Sequence, residues 1–286
     1  MTRIITNIGA SIQDKLKNKA KECGVPNNKM ITKYLLERFI YRLSISQYAD
    51  NFVLKGSVLS TLFITDSKFI RPTKDVDFLA KNISNSLENI SRVMSDVAKI
   101  EYPNDGVVFH PETIKVVIIT EEKEYNGVRV SMIAELSKIR ERISFDISYD
   151  EVVTPSPKKN TIYSIFDDMP NIHIYGYTIE TVIAEKIESM VKKGVINTRM
   201  KDFYDVWNLM QHANVDVNVL KRAITNTFEH RNTNKDVNSV VFKMDFYTMD
   251  KNRLKLWQAF LTKHKIPYID FVDIGMFICN DVKKLL

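Results

Sequence analysis

Two aspartates one residue apart, Asp75 and Asp77 in the run RPTKDVDFL, are the first residues here whose type and spacing could do chemistry. Like charges that close raise each other's pKa and resist desolvation unless a cation lies between them. On an extended strand the two share one face, about 6.5 Å apart, with Val76 and Phe78 turned the other way. Such a pair offers oxygen ligands to one or two Mg²⁺ ions, which bind carboxylates together with substrate phosphates and water. A lone D-x-D also occurs on ordinary surface strands, so the pattern needs support.

Asp146 supplies it. In RISFDIS, Ile143, Phe145 and Ile147 alternate with Ser144, Asp146 and Ser148, which puts Asp146 on the polar face of a later strand. If that strand neighbours the D-x-D strand, three carboxylates gather. Such a set can hold two metals about 3.5–4 Å apart for in-line phosphoryl or nucleotidyl displacement. Asp75, Asp77 and Asp146 are therefore the candidate metal ligands and catalytic residues. Arg140 and Arg142 share the face of Asp146 and give it a basic floor.

Upstream, FVLKGSVLS reads as strand, Gly56-Ser57, helix. Gly56 lets the backbone come close, and Ser57 offers a hydroxyl and an amide at a helix N-terminus, a place for a β- or γ-phosphate. A plain strand-to-helix turn with a serine cap has the same pattern. Downstream, IETVIAEKIESMV sets Lys186 among apolar Ile183 and Met190, and a lysine in such a stripe must reach an anion. In TRMKDFYDVW, Asp202 and Asp205 are three apart on one helix face, with Arg199 and Lys201 before it or in its first turn. An acid there could hold the Lys186 ammonium or contact a nucleotide, although the helix macrodipole alone would account for Asp202.

The elements that must position these residues follow from pattern. Of 286 residues, 44% are hydrophobic and 27% charged, the balance of a water-soluble globular chain. No apolar run approaches the roughly 18 residues a membrane span needs, and the N-terminus lacks an apolar signal region. A cytoplasmic protein with no membrane contact is expected. Cys23 and Cys279 lie near opposite ends and the five histidines are scattered, which argues against a zinc site or a disulfide. A net charge of +6 favours an anionic partner such as nucleic acid. In the tail, Lys221, Arg222, Arg231, Lys251, Arg253 and Lys255 could track an RNA backbone or simply solvate helices.

Residues 1–45 read as a helical segment packing on the core, with Asn27 or Asn28 capping its second helix. Residues 46–155 carry the strands, among them VVFH with TIKVVIIT, GVRVSMIAEL and RISFDIS, and a helix capped by Ser84 or Ser86. EVVTPSPKKN reads as a linker, and residues 156–286 as a helical domain whose first long helix is capped by Thr178 and closed by Gly194. Runs of strands followed by runs of helices predict an α+β chain.

Gly56-Ser57, then Asp75-x-Asp77, then Asp146 on a later strand, resembles the DNA polymerase β-like nucleotidyltransferases. The finer pattern resembles the AbiEii toxin nucleotidyltransferases. FVLKGSVLSTLF is similar to that family's LKGG-x-AL segment, with Ser57 at the second glycine position, and RPTKDVDFL to its R-x-T-x-D-x-D segment. YNGVRVSMIAEL and RISFDIS are similar to its two middle strands, and AEKIESMV with TRMKDFYDVW to its helical motif EK…R-x-KD-x-x-D. The separation from Ser57 to Asp75 exceeds that of minimal members, which implies an inserted helix or loop.

The resemblance implies a polymerase β-like lobe with a mixed sheet at 46–155 and a helical C-terminal lobe. It implies a Mg²⁺-dependent, two-metal enzyme that moves an NMP from an NTP to an RNA acceptor, the 3′ end of tRNA, and so stops bacterial growth. Gly56, Ser57, Lys186, Asp202, Asp205, Arg199 and Lys201 become candidate nucleotide-binding residues. The implied partner is a cognate antitoxin with a DNA-binding domain, with or without direct contact. Two rival readings remain: nucleotidyl transfer to a protein or small-molecule hydroxyl, and a non-catalytic scaffold that binds RNA or a partner. The scaffold alone predicts indifference to loss of Asp75 and Asp77.

Overall fold

The computed structural model describes residues 7–60, 62–63, 76–119 and 127–286. These form two units, one of Met1–Val58, Lys74–Asp150 and Lys159–Gly176, the other of Leu59–Thr73, Glu151–Lys158 and Tyr177–Leu286.

The first unit opens with α1 (Ile8–Glu22), capped by Asn7, whose side chain accepts the Ala10 amide at 2.9 Å. Ile12, Leu16 and Ala20 recur every four residues and are buried, so the lysines between them face water. Helix α2 (Asn27–Ser44) is capped one position before the earlier of the two caps expected, Asn27 and Asn28. Pro26 is the cap, with an extended backbone, and its carbonyl accepts the Lys29 and Met30 amides. This helix is buried almost all round. Its charges are neutralised in place: Arg42 forks onto Asp105 at 2.7 and 3.2 Å and also donates to the Ile100 and Val107 carbonyls. Arg38 pairs with Glu37 at 2.7 Å. A buried charge is tolerable only with that degree of pairing.

Strand β1 (Phe52–Lys55) leads directly into the short helix α3 (Gly56–Ser60), and β2 (Asp77–Ala80) follows. Helix α4 (Leu87–Ala98) is capped by Ser86, the second of the two serines proposed, and packs against β3. Strands β3 (Val107–Ile119), β4 (Gly127–Leu136) and β5 (Ile139–Tyr149) form an antiparallel meander. VVFH and TIKVVII are thus one strand, with a register shift between His110 and Lys115 where Pro111 offers no N–H to the ladder. Strands β6 (Lys158–Ile162) and β7 (Ile172–Gly176) complete a seven-stranded sheet of order β3-β4-β5-β2-β1-β7-β6.

Both last strands lie in the stretch read from sequence as linker and helices. IHIYG alternates buried and open positions like any strand, but five residues after a proline are too few to declare it. The sheet is mixed: β2 runs parallel to β5, and β1 parallel to β7, while β1 and β2 are antiparallel. Its packed face carries Phe78 and Phe145, the latter stacked on Phe39 of α2 at 4.6 Å between centroids.

The second unit is helical: α5 (Ile179–Lys193), α6 (Met200–His212), α7 (Val217–His230), α8 (Asp245–Thr248), α9 (Lys251–His264) and α10 (Phe271–Phe277). Thr178 precedes α5 and Gly194 follows it, as expected. Phe203, Phe246, Tyr247, Trp257 and Phe271 form its aromatic centre, where Gly275 admits the Tyr247 ring into space a Cβ would occupy. Two tail cations proposed for RNA are instead built into this unit. Arg253 stacks on Phe246 at 3.7 Å and donates to the Phe246 and Val195 carbonyls. Arg231 sits among three glutamates. The α+β class holds, and no described helix is long and apolar enough to cross a membrane.

Candidate active site

In the first unit the pairing of strands builds a transverse row. Lys55 of β1 is opposite Asp77 of β2, Asp77 is opposite Asp146 of β5, Asp146 opposite Arg129 of β4, and Arg129 opposite Val117 of β3. Directly paired residues present their side chains on the same face. The alternation of β5 turns Ile143, Phe145 and Ile147 into the core, so the face carrying Asp77 and Asp146 is the open one. Asp77 and Asp146 are thereby neighbours, as the expected adjacency of their strands requires.

Asp75 lies outside the described residues, as do Arg71, Thr73 and Lys74. Among the described residues no three His, Cys, Asp or Glu side chains form a metal-binding group.

Gly56 has φ +74°, a left-handed conformation that a side chain would strain. A Cβ built there would fall on the Asp77 carboxylate. The glycine therefore lets the β1–α3 corner come right up to that acid. Ser57 is the second residue of α3, and its side chain lies outside what is described. The two all-oxygen carboxylates and the cradle over one of them fit a hard divalent cation such as Mg²⁺.

Arg129 was not singled out from sequence. It binds Asp146 through a two-pronged fork, Nε to Oδ1 at 2.8 Å and Nη2 to Oδ2 at 2.7 Å. The signal was present in YNGVRVSM: Val128 and Val130 are core residues, so Arg129 must point to the open face. Arg140 and Arg142 lie on that face too, the first 3.1 Å from Glu135 and the second 3.4 Å from the Ser131 hydroxyl.

The second unit holds the helical motif as a cluster of its own. Lys186 on α5 reaches Asp202 at 3.1 Å and Asp205 at 2.8 Å, both on α6. The three side chains retain 12%, 2% and 7% exposure, so this is a nearly dry ion triad. Ile183 and Met190 are fully buried beside it, which is the stripe that forced the lysine toward an anion. Arg199 comes within 2.9 Å of the other Asp202 oxygen, close as an ion pair but not aligned as a hydrogen bond. Lys201 is half-buried in the first turn of α6.

A second cluster in this unit also escaped the sequence reading. Arg231, just past α7, donates to Glu151 at 2.7 Å, Glu188 at 2.8 Å and Glu185 at 2.9 Å. Burial alone would lower its pKa, but the three carboxylates outweigh that and hold it above its usual range. Tyr177 stands beside Glu185, and burial pushes its phenol well above the ordinary value, with Glu185 and Glu151 adding to the shift.

Comparison with known proteins gives these groups a context. No curated protein matches the chain. Among solved structures, JHP933 from Helicobacter pylori is similar at 14% identity and TM-score 0.46, over 91% of this chain and 95% of that one. A second H. pylori protein is similar at 16% and 0.49, over 91% and 96%. An antigenic nucleotidyltransferase-like protein from Paracoccidioides brasiliensis is similar at 14% and 0.40, over 69% and 89%. The model of the nucleotidyl transferase AbiEii toxin family, of type IV toxin–antitoxin systems, matches residues 38–272, most of the chain and every motif above. The chain belongs to the AbiEii family of toxins and is a nucleotidyltransferase.

Proposed function

We propose that the protein is a Mg²⁺-dependent toxin that transfers an NMP from an NTP to the 3′ end of an RNA, tRNA above all, with release of pyrophosphate. The observation that carries this reading is the side-by-side placement of Asp77 and Asp146 next to the Gly56 corner. Bound Mg²⁺ would neutralise the triphosphate and polarise its α-phosphate. Asp75 and Asp77 hold the metal, and Asp146 either completes that set or takes the proton of the attacking hydroxyl. Gly56 and Ser57 offer backbone amides to the outer phosphates.

Within the helical unit, the resemblance to the family's helical motif supports nucleotide binding by Lys186, Asp202 and Asp205, with Arg199 and Lys201. Their geometry supports a lysine whose direction is fixed before any ligand arrives, because two acids hold one ammonium. The net charge of +6 supports RNA as acceptor over a protein or small-molecule hydroxyl. The cognate antitoxin is a separate chain with a DNA-binding domain.

The test uses the full chain with each of the four α-³²P-labelled NTPs, total RNA or total protein, and either Mg²⁺ or EDTA. Label should enter the RNA fraction, need Mg²⁺, disappear in Asp77→Ala, and fail on RNA whose 3′ ends have been oxidised with periodate. Label that enters protein instead, or that persists in EDTA, overturns the reading.

A further inference from the structure

Asp146 is expected to hold a metal, yet both of its oxygens are already engaged by Arg129. The pair is wet: the two side chains keep 55% and 32% exposure. An exposed ion pair contributes little to stability. Packing does not require an arginine there either, since Val128 and Val130 do the packing of that part of β4. What Arg129 does is electrostatic. The row Lys55, Asp77, Asp146 and Arg129 sets two acids between two cations on four adjacent strands, with Arg129 the cation on the Asp146 side.

A divalent ion shared by Asp77 and Asp146 needs an oxygen that the guanidinium holds. A carboxylate oxygen has a lone pair to spare, but a guanidinium on the same carboxylate is repelled by the doubly charged ion. We infer that Arg129 is an exchangeable counter-ion for Asp146, which relieves the repulsion between the two acids in the metal-free enzyme and yields the carboxylate to the metal on loading. Arg129 is thus a positioning residue, and its presence sets metal affinity below what the carboxylates alone would give. This inference rests on the metal reading of Asp77 and Asp146 given above.

Mn²⁺ is the probe. Binding to the full chain is followed by loss of the free-ion EPR signal at low ionic strength, without nucleotide. Arg129→Gln should bind Mn²⁺ roughly three- to tenfold tighter than wild type, the scale of removing one exposed charge a few ångströms from a divalent ion. Arg129→Lys, which keeps the charge but loses the fork, should stay within about twofold of wild type. Arg129→Gln combined with Asp146→Asn should bind no tighter than Asp146→Asn alone. Equal or weaker binding by Arg129→Gln, with a thermal melt like wild type, overturns the inference.

Asp77→Asn separates this failure from failure of the underlying reading. If Asp77→Asn loses Mn²⁺ while Arg129→Gln binds like wild type, the counter-ion role is wrong and the metal site stands. If wild type takes up no Mn²⁺, or Asp77→Asn binds as wild type does, both are wrong.

Discussion

Asp77 and Asp146 face each other across two parallel strands although a helix and two strands of the meander separate them along the chain. Two acids held at that spacing destabilise one another, so each can be neutralised at little structural cost. Asp77→Asn and Asp146→Asn should each lower nucleotide incorporation on the order of 10²-fold or more, the scale of losing one contact to developing charge. Melting temperatures should stay level or rise. Incorporation of labelled nucleotide beside a thermal melt checks this, and near-normal incorporation by either variant would remove that residue from the site.

Gly56→Ala probes the corner over Asp77. At φ +74° an alanine costs about 1–2 kcal/mol from left-handed strain alone. Its methyl group also meets the Asp77 carboxylate, which must turn away. Incorporation should fall together with a stability loss of that size in urea denaturation. A variant that loses the stability but keeps full incorporation would show that the carboxylate's position is unimportant.

Lys186→Met leaves Asp202 and Asp205 in a dry place with one cation fewer. Removing one partner of a buried ion pair typically costs about 3–5 kcal/mol. Adding Asp205→Asn to Lys186→Met should recover part of that loss, because the uncompensated charge goes with it. Chemical denaturation of the two single variants and the double variant gives the coupling directly. Strict additivity would show that the lysine and Asp205 do not depend on one another.

Arg231→Gln should be damaging in a pH-dependent way. Without the guanidinium, Glu151, Glu185 and Glu188 remain close together and mostly buried, so their ionised forms repel one another. Protonation relieves that repulsion, so the loss of stability grows as pH climbs. The variant should therefore trail wild type by more at pH 8 than at pH 5. A deficit that grows toward acid would contradict this arrangement of charges.

Cys279 is half-buried, and burial pushes its thiol up, whereas Cys23 is exposed. The thiolate is the reactive form. With a thiol reagent at pH 8, Cys23 should be modified first and Cys279 several-fold more slowly, read by mass spectrometry of peptides. Equal rates would mean that the C-terminal helices open freely.

The sequence made some of this plain and hid the rest for physical reasons. Period-two alternation revealed that Asp146 points away from the core, and an apolar stripe revealed that Lys186 must find an anion, because both are local constraints. Which strands would be neighbours was not local. That β2 and β5 adjoin was only a condition in the sequence and their parallel direction was not read from it, and the fork of Arg129 followed only once GVRVSM and ISFDIS were known to be paired. β7 was missed for a similar reason: its five residues become a strand through pairing with β1, far earlier in the chain. Arg231 read as a tail cation for an RNA backbone or a solvated helix, since its three partners come from positions 151, 185 and 188.

The order of strands has a consequence for how such a chain can be made safely. β1 emerges from the ribosome early, but its parallel neighbour β7 ends only at Gly176, and β2 must wait for β5. Pairings between distant segments form late, after loop-closure entropy has been overcome. A nascent chain therefore carries Asp77 and Asp146 on separate, unjoined segments until about half of it has been synthesised.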